Sequence, residues 1–462
     1  MSDHVYLLSI PGLRERDLAH MPRLNSLMEQ GDRAPLVASV PAVTCPVQTN
    51  MMTGLPPSEH GVVANGFYWR DDLTPSPTPG RGPKHAGVEM WTAWSDVVQR
   101  PRIWERLKEH DSSLTSAVWF PLLAKGCGAD FVCTFAPIHN PDGTESLWCY
   151  TVPEMLYGEL RDALGHFPLK HFWGPLANIE SSRWIVSSLL ELLKTERPNF
   201  AYVYLPHLDY AAQKHGPDSS EAVAACRDLD TEIGRLVDEA SGLLPDSPLW
   251  LVASEYAITE VSHVSYPNRL LKEAGLLTTK LDDDGRELID KQASQAWALV
   301  DHQTGQVFVR DRDPAVIAKA AKLFAGCDGI AEVWDAAEQA KQGVRHERSG
   351  DLVMISEPHS WQAYYWWNDD ALAPRFARTV DIHNKPGYDP CEMSWDMAAM
   401  KEHQGGGCRW TRPSSADRME HHHATNRNAA SCSLARKVPS SSSRPPTSMS
   451  ARSCSANSGR SY

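Results

Sequence analysis

The sequence predicts an α/β fold, a mostly parallel sheet covered on both faces by helices and therefore built in three layers. Two observations carry this reading. Short apolar runs alternate with segments of helical periodicity along most of the chain. Several of those runs are apolar throughout rather than alternating, as strands buried on both faces are. In such a sheet the strand ends at Ile10, Leu205 and Ala253 converge on one edge, where open α/β sheets bind ligands.

The elements follow in order. Residues 5–10 form an apolar run stopped by Pro11 and Gly12, which reads as a buried first strand. Residues 21–30 carry Leu24, Leu27 and Met28 on one helical face. Residues 47–53 contain neither Pro nor Gly and read as a helix, which Gly54, Pro56, Pro57 and Gly61 end and turn back. The Pro- and Gly-rich stretch 71–87 reads as a surface loop, 103–110 as a helix and 115–120 as a strand. From about 131 to 175 aromatics, Pro and Gly crowd together, which points to an inserted cap rather than part of the sheet.

Residues 184–195 read as an amphipathic helix and 200–205 as a strong strand. A long helix over 220–241 places Ala222, Ala225, Leu229, Ile233 and Leu236 near helical spacing, and 249–253 is a further buried strand. Two runs within 296–310 bracket DHQTGQ as a hairpin. Residues 314–324 and 333–340 read as helices and 351–356 as a strand. The aromatic stretch 361–370, WQAYYWWNDD, suits packing under the sheet edge or a subunit contact. After about Met400 the chain turns Ser-, Arg- and Pro-rich with almost no apolar periodicity. Such a segment cannot bury enough surface to offset its ordering entropy, so one domain over 1–400 and a disordered tail over 401–462 are expected. A shift of reading frame near this point would produce the same break.

The chain has 462 residues and a formal net charge of −13, with an isoelectric point near 5.8. That balance argues against nucleic acid or an anionic membrane as the main partner. An acidic protein can still bind phosphate where a metal or a helix terminus supplies a local positive field. No stretch has the length and apolarity of a transmembrane helix, and the first ten residues lack the basic region of a signal peptide. Ten cysteines are scattered without CxxC pairs, which fits a cytoplasmic protein with reduced thiols.

Thr44 lies between Pro41 and Pro46 at the start of the predicted 47–53 helix. Orphan amides and the positive end of the helix dipole make that position a receptor for anions, phosphate above all. The order Thr44-x-Pro46, Thr53–Gly54–Leu55, His60–Gly61 and then Asn65 resembles the nucleophile region of the type I phosphodiesterase/nucleotide pyrophosphatase family, within the alkaline phosphatase superfamily. The resemblance implies an alkaline phosphatase type of fold. It further implies a nucleophilic Thr44, an Asn65 that helps hold a phosphoryl oxygen, and a small phosphorylated substrate.

The same resemblance implies two metal ions, usually zinc, held by six Asp and His side chains besides the Thr. Here the pattern departs. Pro11 stands where the first Asp should be, and Pro has no donor atom. The next motif keeps Asp209 and Gly216–Pro217 but has Gln213 where a His belongs, with His207, two residues from Asp209 and on the same strand face, or His215 as substitutes. A late Ser-Asp-His motif appears as Ser254–Glu255–Tyr256, so Glu255 could still hold a hard cation while Tyr256 is a poor ligand. One alignment places Pro386 where the last His belongs, with His383 nearby, and another puts that position in the aberrant tail, with His403 its remnant. Three readings stay open: a hydrolase with one divalent metal, zinc or manganese, held by Asp209, Glu255 and one of His207, His215 or His383; a catalytically silent binder of a nucleotide or phosphate ester; and a metal-independent enzyme in which His residues serve as acid and base.

Overall fold

Strands that are apolar on both faces occupy the middle of the sheet. The computed structural model describes residues 3–70, 88–139, 145–378, 385–388, 393, 422–426 and 430–435. Seven strands of the main sheet come from the first part of the chain: β1 (Val5–Ile10), β2 (Asp32–Leu36), β3 (Ser116–Trp119), β4 (Phe131–Phe135), β5 (Cys149–Val152), β6 (Phe200–Tyr204) and β7 (Leu249–Ser254). A smaller antiparallel sheet holds β8 (Ala296–Asp301), β9 (Thr304–Val309), β10 (Ile330–Trp334) and β11 (Leu352–Ser356). With β12 (Ala430–Ala435) the main sheet has the order β2-β12-β7-β1-β6-β3-β4-β5. The run from β7 to β4 is parallel throughout. Only β12 and β5 run against their neighbours.

Register brings the strand ends level, as the sequence predicts. Ile10 pairs with Ser254, and Ser9 pairs with both Tyr204 and Ala253. Four helices matter for the site: α1 (Thr44–Thr53), α2 (Ile179–Leu193), α3 (His207–His215) and α4 (Ser220–Leu243). Asn178 and Ser219 cap α2 and α4 by accepting from Glu180 and Ala222 amides. The α4 stripe of Ala222, Ala225, Leu229, Ile233 and Leu236 is buried, and from Ala225 onward it joins Ile185 and Leu189 of α2 in one core with the strands. Each such large aliphatic side chain contributes about 1.5–3 kcal/mol by leaving water.

Three expectations need revision. The 131–175 stretch is not wholly outside the sheet, because β4 and β5 form its edge. Phe131–Phe135 is nearly all buried, and that burial outweighs the Pro- and Gly-rich flanks that suggested a cap. Residues 333 and 334 belong to β10, and the helix starts only at Ala336, where Asp335 caps two amides. The 361–367 aromatics follow the packing alternative expected of them, inside a second core under the small sheet with Trp361 and Tyr364 to Trp367 all buried. In the tail, His422–Asn426 and Ala430–Ala435 are paired strands, the latter filling the gap between β2 and β7. An open strand edge offers unpaired backbone groups to any extended segment, even one with little apolar pattern. The loop expected over 71–87 and most of 401–462 lie outside the described residues.

Candidate active site

The site forms where α1 starts, at the edge defined by β1, β6 and β7. Thr44 is the first residue of α1, after an extended Val43 (φ −133°, ψ 155°) that offers no side-chain cap. Pro46 has no N–H, and the Cys45 amide donates to Asn65 Oδ1 at 2.8 Å. That bond orients the Asn65 amide, so its donor end is Nδ2. Gly54 ends the helix in the left-handed region (φ 72°), as the Gly in TGL implies.

Thr44 belongs to a short chain of hydrogen bonds. The Tyr256 phenol donates to Asp209 Oδ2 at 3.2 Å. A phenol has a single proton, so the Thr44 hydroxyl donates to Tyr256 at 3.1 Å. Burial pushes the Asp209 carboxyl above its usual range, and Gln213, His302 and Tyr256 oppose that rise. Burial also lifts the Tyr256 phenol well above its ordinary value, helped by the charges of Asp209 and Glu255. Asp209 Oδ1 is buried without a hydrogen-bond partner.

Thr44, Asn65, Asp209, Gln213, Tyr256, His302 and Tyr388 line one pocket, walled by Trp91, Phe172, Trp173 and Tyr204. Among the described residues lining it there is no Lys or Arg. Tyr388 donates to Gln213 Oε1 at 2.9 Å and stacks on His302 with ring centroids 3.8 Å apart. His302 sits at the tip of the β8–β9 hairpin, beside Asp301, whose Oδ1 lies 2.6 Å from His302 Nδ1.

The other expected site residues fall elsewhere. Glu255 is fully buried behind the pocket, its Oε1 accepting from Ser9 Oγ (2.7 Å) and Gln48 Nε2 (2.8 Å). Burial raises its carboxyl to about 8, so it is largely protonated near pH 7. His207 and Asp209 were expected to share a strand face, but both lie in α3, where residues two apart point to opposite sides. His207 does not line the pocket. Its Nε2 lies 4.0 Å from Asp228, and burial lowers its imidazole to about 4. His215 ends α3 and is exposed. His383 lies outside the described residues. His60 is buried in its own turn, accepting from the Val62 amide and meeting the Asn50 side chain.

The donor set does not fit the two-metal group that the resemblance implies. The Tyr256 phenol stands between Thr44 and Asp209, Gln213 is engaged by Tyr388, and Glu255 lies outside the pocket lining with Oε1 held by Ser9 and Gln48 and Oε2 buried without a partner. Among the described residues no three His, Cys, Asp or Glu side chains gather as a metal-holding group, so the one-metal set is not assembled there either.

Sequence reading did not single out His302 or Tyr388. The hairpin around DHQTGQ was legible, and its Asp-His pair was the available signal. That the tip reaches a helix start some 250 residues earlier was not legible. Tyr256 and Gln213 figured only as missing ligands, yet both take part in the hydrogen-bond chains.

A mostly parallel sheet with a threonine-led helix at its edge is an α/β architecture shared with solved structures, a phosphonoacetate hydrolase among them. The chain belongs to the type I phosphodiesterase/nucleotide pyrophosphatase family, whose model matches residues 5–389. A curated relative, an uncharacterised pyrophosphatase/phosphodiesterase of Schizosaccharomyces pombe, is 24% identical over 237 residues. That match covers 51% of this chain and only 40% of the relative. Phosphonoacetate hydrolase from Sinorhizobium meliloti 1021, solved with phosphonoformate, superposes with TM-score 0.56 and 16% identity over 96% of this chain and 92% of that one. Murine ectonucleotide pyrophosphatase/phosphodiesterase 5, in an inactive form with AMP, gives 0.53 and 15% over 80% and 82%. At these identities the two structures speak to the fold alone. Among the described residues no helix is long and apolar enough to cross a membrane.

Proposed function

We propose that this chain hydrolyses a small phosphodiester or phosphoanhydride, with Thr44 attacking phosphorus and no metal taking part. The hydrogen-bond chain from Thr44 through Tyr256 to Asp209 is the observation that carries the proposal. A threonine hydroxyl is a weak nucleophile near pH 7 unless a base or metal activates it. Asp209 supplies the base: burial makes its carboxylate more basic, and Tyr256 passes the proton on. Asn65 Nδ2 is the donor for a phosphoryl oxygen.

Charge narrows the substrate. A lining without Lys or Arg, next to a buried carboxylate, disfavours a phosphate monoester dianion and suits the single charge of a diester. Walls of Trp91, Phe172 and Trp173 suit a flat or apolar group on the ester, such as a nucleobase. The cytoplasmic location remains part of this proposal.

Hydrolysis of bis(4-nitrophenyl) phosphate by the full chain tests the nucleophile. Thr44→Ala should lose at least about 10³-fold in kcat while keeping its melting temperature within a few degrees. Unchanged turnover in that variant would reject Thr44.

A further inference from the structure

His302 occupies a costly conformation in a heavily braced turn. Its φ is 56°, the left-handed region that β-hairpin tips normally give to Gly or Asn. The turn is fixed from several sides. Gln303 Nε2 donates to the carbonyls of Glu357, Pro358 and Ser360 at 2.8–3.2 Å. The Gln362 amide donates to the His302 carbonyl at 2.9 Å, and the Ser356 amide to that of Gln303 at 2.9 Å. The imidazole itself is clamped between the stacked Tyr388 ring and the Asp301 carboxylate. Both Asp301 and His302 are buried, and Asp301 Oδ2 has no hydrogen-bond partner.

An ordinary hairpin needs none of this. What the bracing achieves is a fixed imidazole whose Nδ1 proton is held by Asp301, which leaves Nε2 as the nitrogen for proton exchange. His302 lines the same pocket as Thr44 and lies near enough to Asp209 to lower its carboxyl.

We propose that the Asp301–His302 pair is the acid–base group for the leaving oxygen, the task a metal performs in metal-dependent phosphoryl transfer. This rests on the hydrolase reading above. In the first half-reaction the Thr44 oxygen bonds to phosphorus as the bond from phosphorus to the leaving oxygen breaks. The Thr44 proton moves to Tyr256, the Tyr256 proton moves to Asp209, and His302 Nε2 gives its proton to the leaving oxygen. In the second, neutral His302 takes a proton from water as the water oxygen bonds to phosphorus. The Thr44–phosphorus bond then breaks, and Asp209 returns the proton through Tyr256. One water is consumed for each ester bond broken, with no redox change.

The test compares two thymidine 5′-phosphate diesters on the full chain, one with a 4-nitrophenyl and one with an ethyl leaving group. kcat/KM reports steps through the first phosphorus–oxygen cleavage. Nitrophenolate leaves without help, whereas ethoxide needs a proton. His302→Asn should therefore lower kcat/KM for the nitrophenyl ester less than about tenfold and for the ethyl ester by about 10²–10⁴. It should also show a burst of nitrophenolate, since dephosphorylation loses its base. Asp301→Asn, a second route should His302→Asn misfold, should shift the same way by a smaller factor. Equal losses on both esters, or none, would overturn the role of His302. A wild-type chain inert toward both would instead remove the hydrolase reading, and this inference with it.

Discussion

A buried carboxyl that holds its proton makes the stability of this chain depend on pH. Glu255 is raised to about 8 by burial, against about 4.5 when exposed. Between those values the unfolded chain has lost this proton and the folded chain keeps it, so this contribution to stability is full below about 4.5 and falls as pH rises through 8. Glu255→Gln keeps an acceptor for Ser9 and Gln48 and removes the titration. The melting temperature of the wild type should drop from pH 6 to pH 9 relative to the variant, by the equivalent of a few kcal/mol. Parallel curves would show that Glu255 is ionised in the fold. At this scale Thr44, Asn65 and Asp209 could be singled out from sequence because each sits in a local motif. Tyr256 could not be assigned its part, because its bonds to Thr44 and Asp209 cross 212 and 47 positions of sequence. No local pattern encodes such contacts.

The β8–β9 hairpin reaches the pocket only if it is docked against the segment that follows α1. Gln306 of β9 makes that contact, its Nε2 donating to the Val63 carbonyl at 3.1 Å while its Oε1 accepts from the Gly350 amide at 2.7 Å. Gln306→Ala leaves two buried backbone groups unpaired, at about 1–3 kcal/mol each. Its melting temperature should fall by several degrees, and KM should rise as His302 loses its position; a change in neither would mean that other contacts hold the hairpin. The hairpin could be read from two apolar runs around DHQTGQ, because turn chemistry is local. Its docking could not, and neither could the helical placement of His207, whose two-residue separation from Asp209 looked like a shared face.

Across the whole molecule the alternation of strands and helices was enough to predict the parallel sheet and the converging ends of β1, β6 and β7. Composition was a weaker guide where tertiary contacts decide, as in the edge strands β4 and β5 and the paired segments of the tail. The altered ligand positions at Pro11, Gln213 and Tyr256 were visible in the sequence as departures from a pattern. What stands in their place emerged from the fold: a pocket in which tyrosine, glutamine and a buried Asp–His pair take up the contacts.

This pocket is proposed to break a phosphodiester bond without a metal. The direct measurement is turnover of bis(4-nitrophenyl) phosphate by the full chain before and after exhaustive dialysis against a chelator, with bound metal determined on the same samples. Turnover should depend on Thr44, be unchanged by chelation and be accompanied by less than about 0.1 equivalent of any transition metal. Activity lost on chelation and restored by zinc or manganese, with one or more equivalents bound, would contradict it.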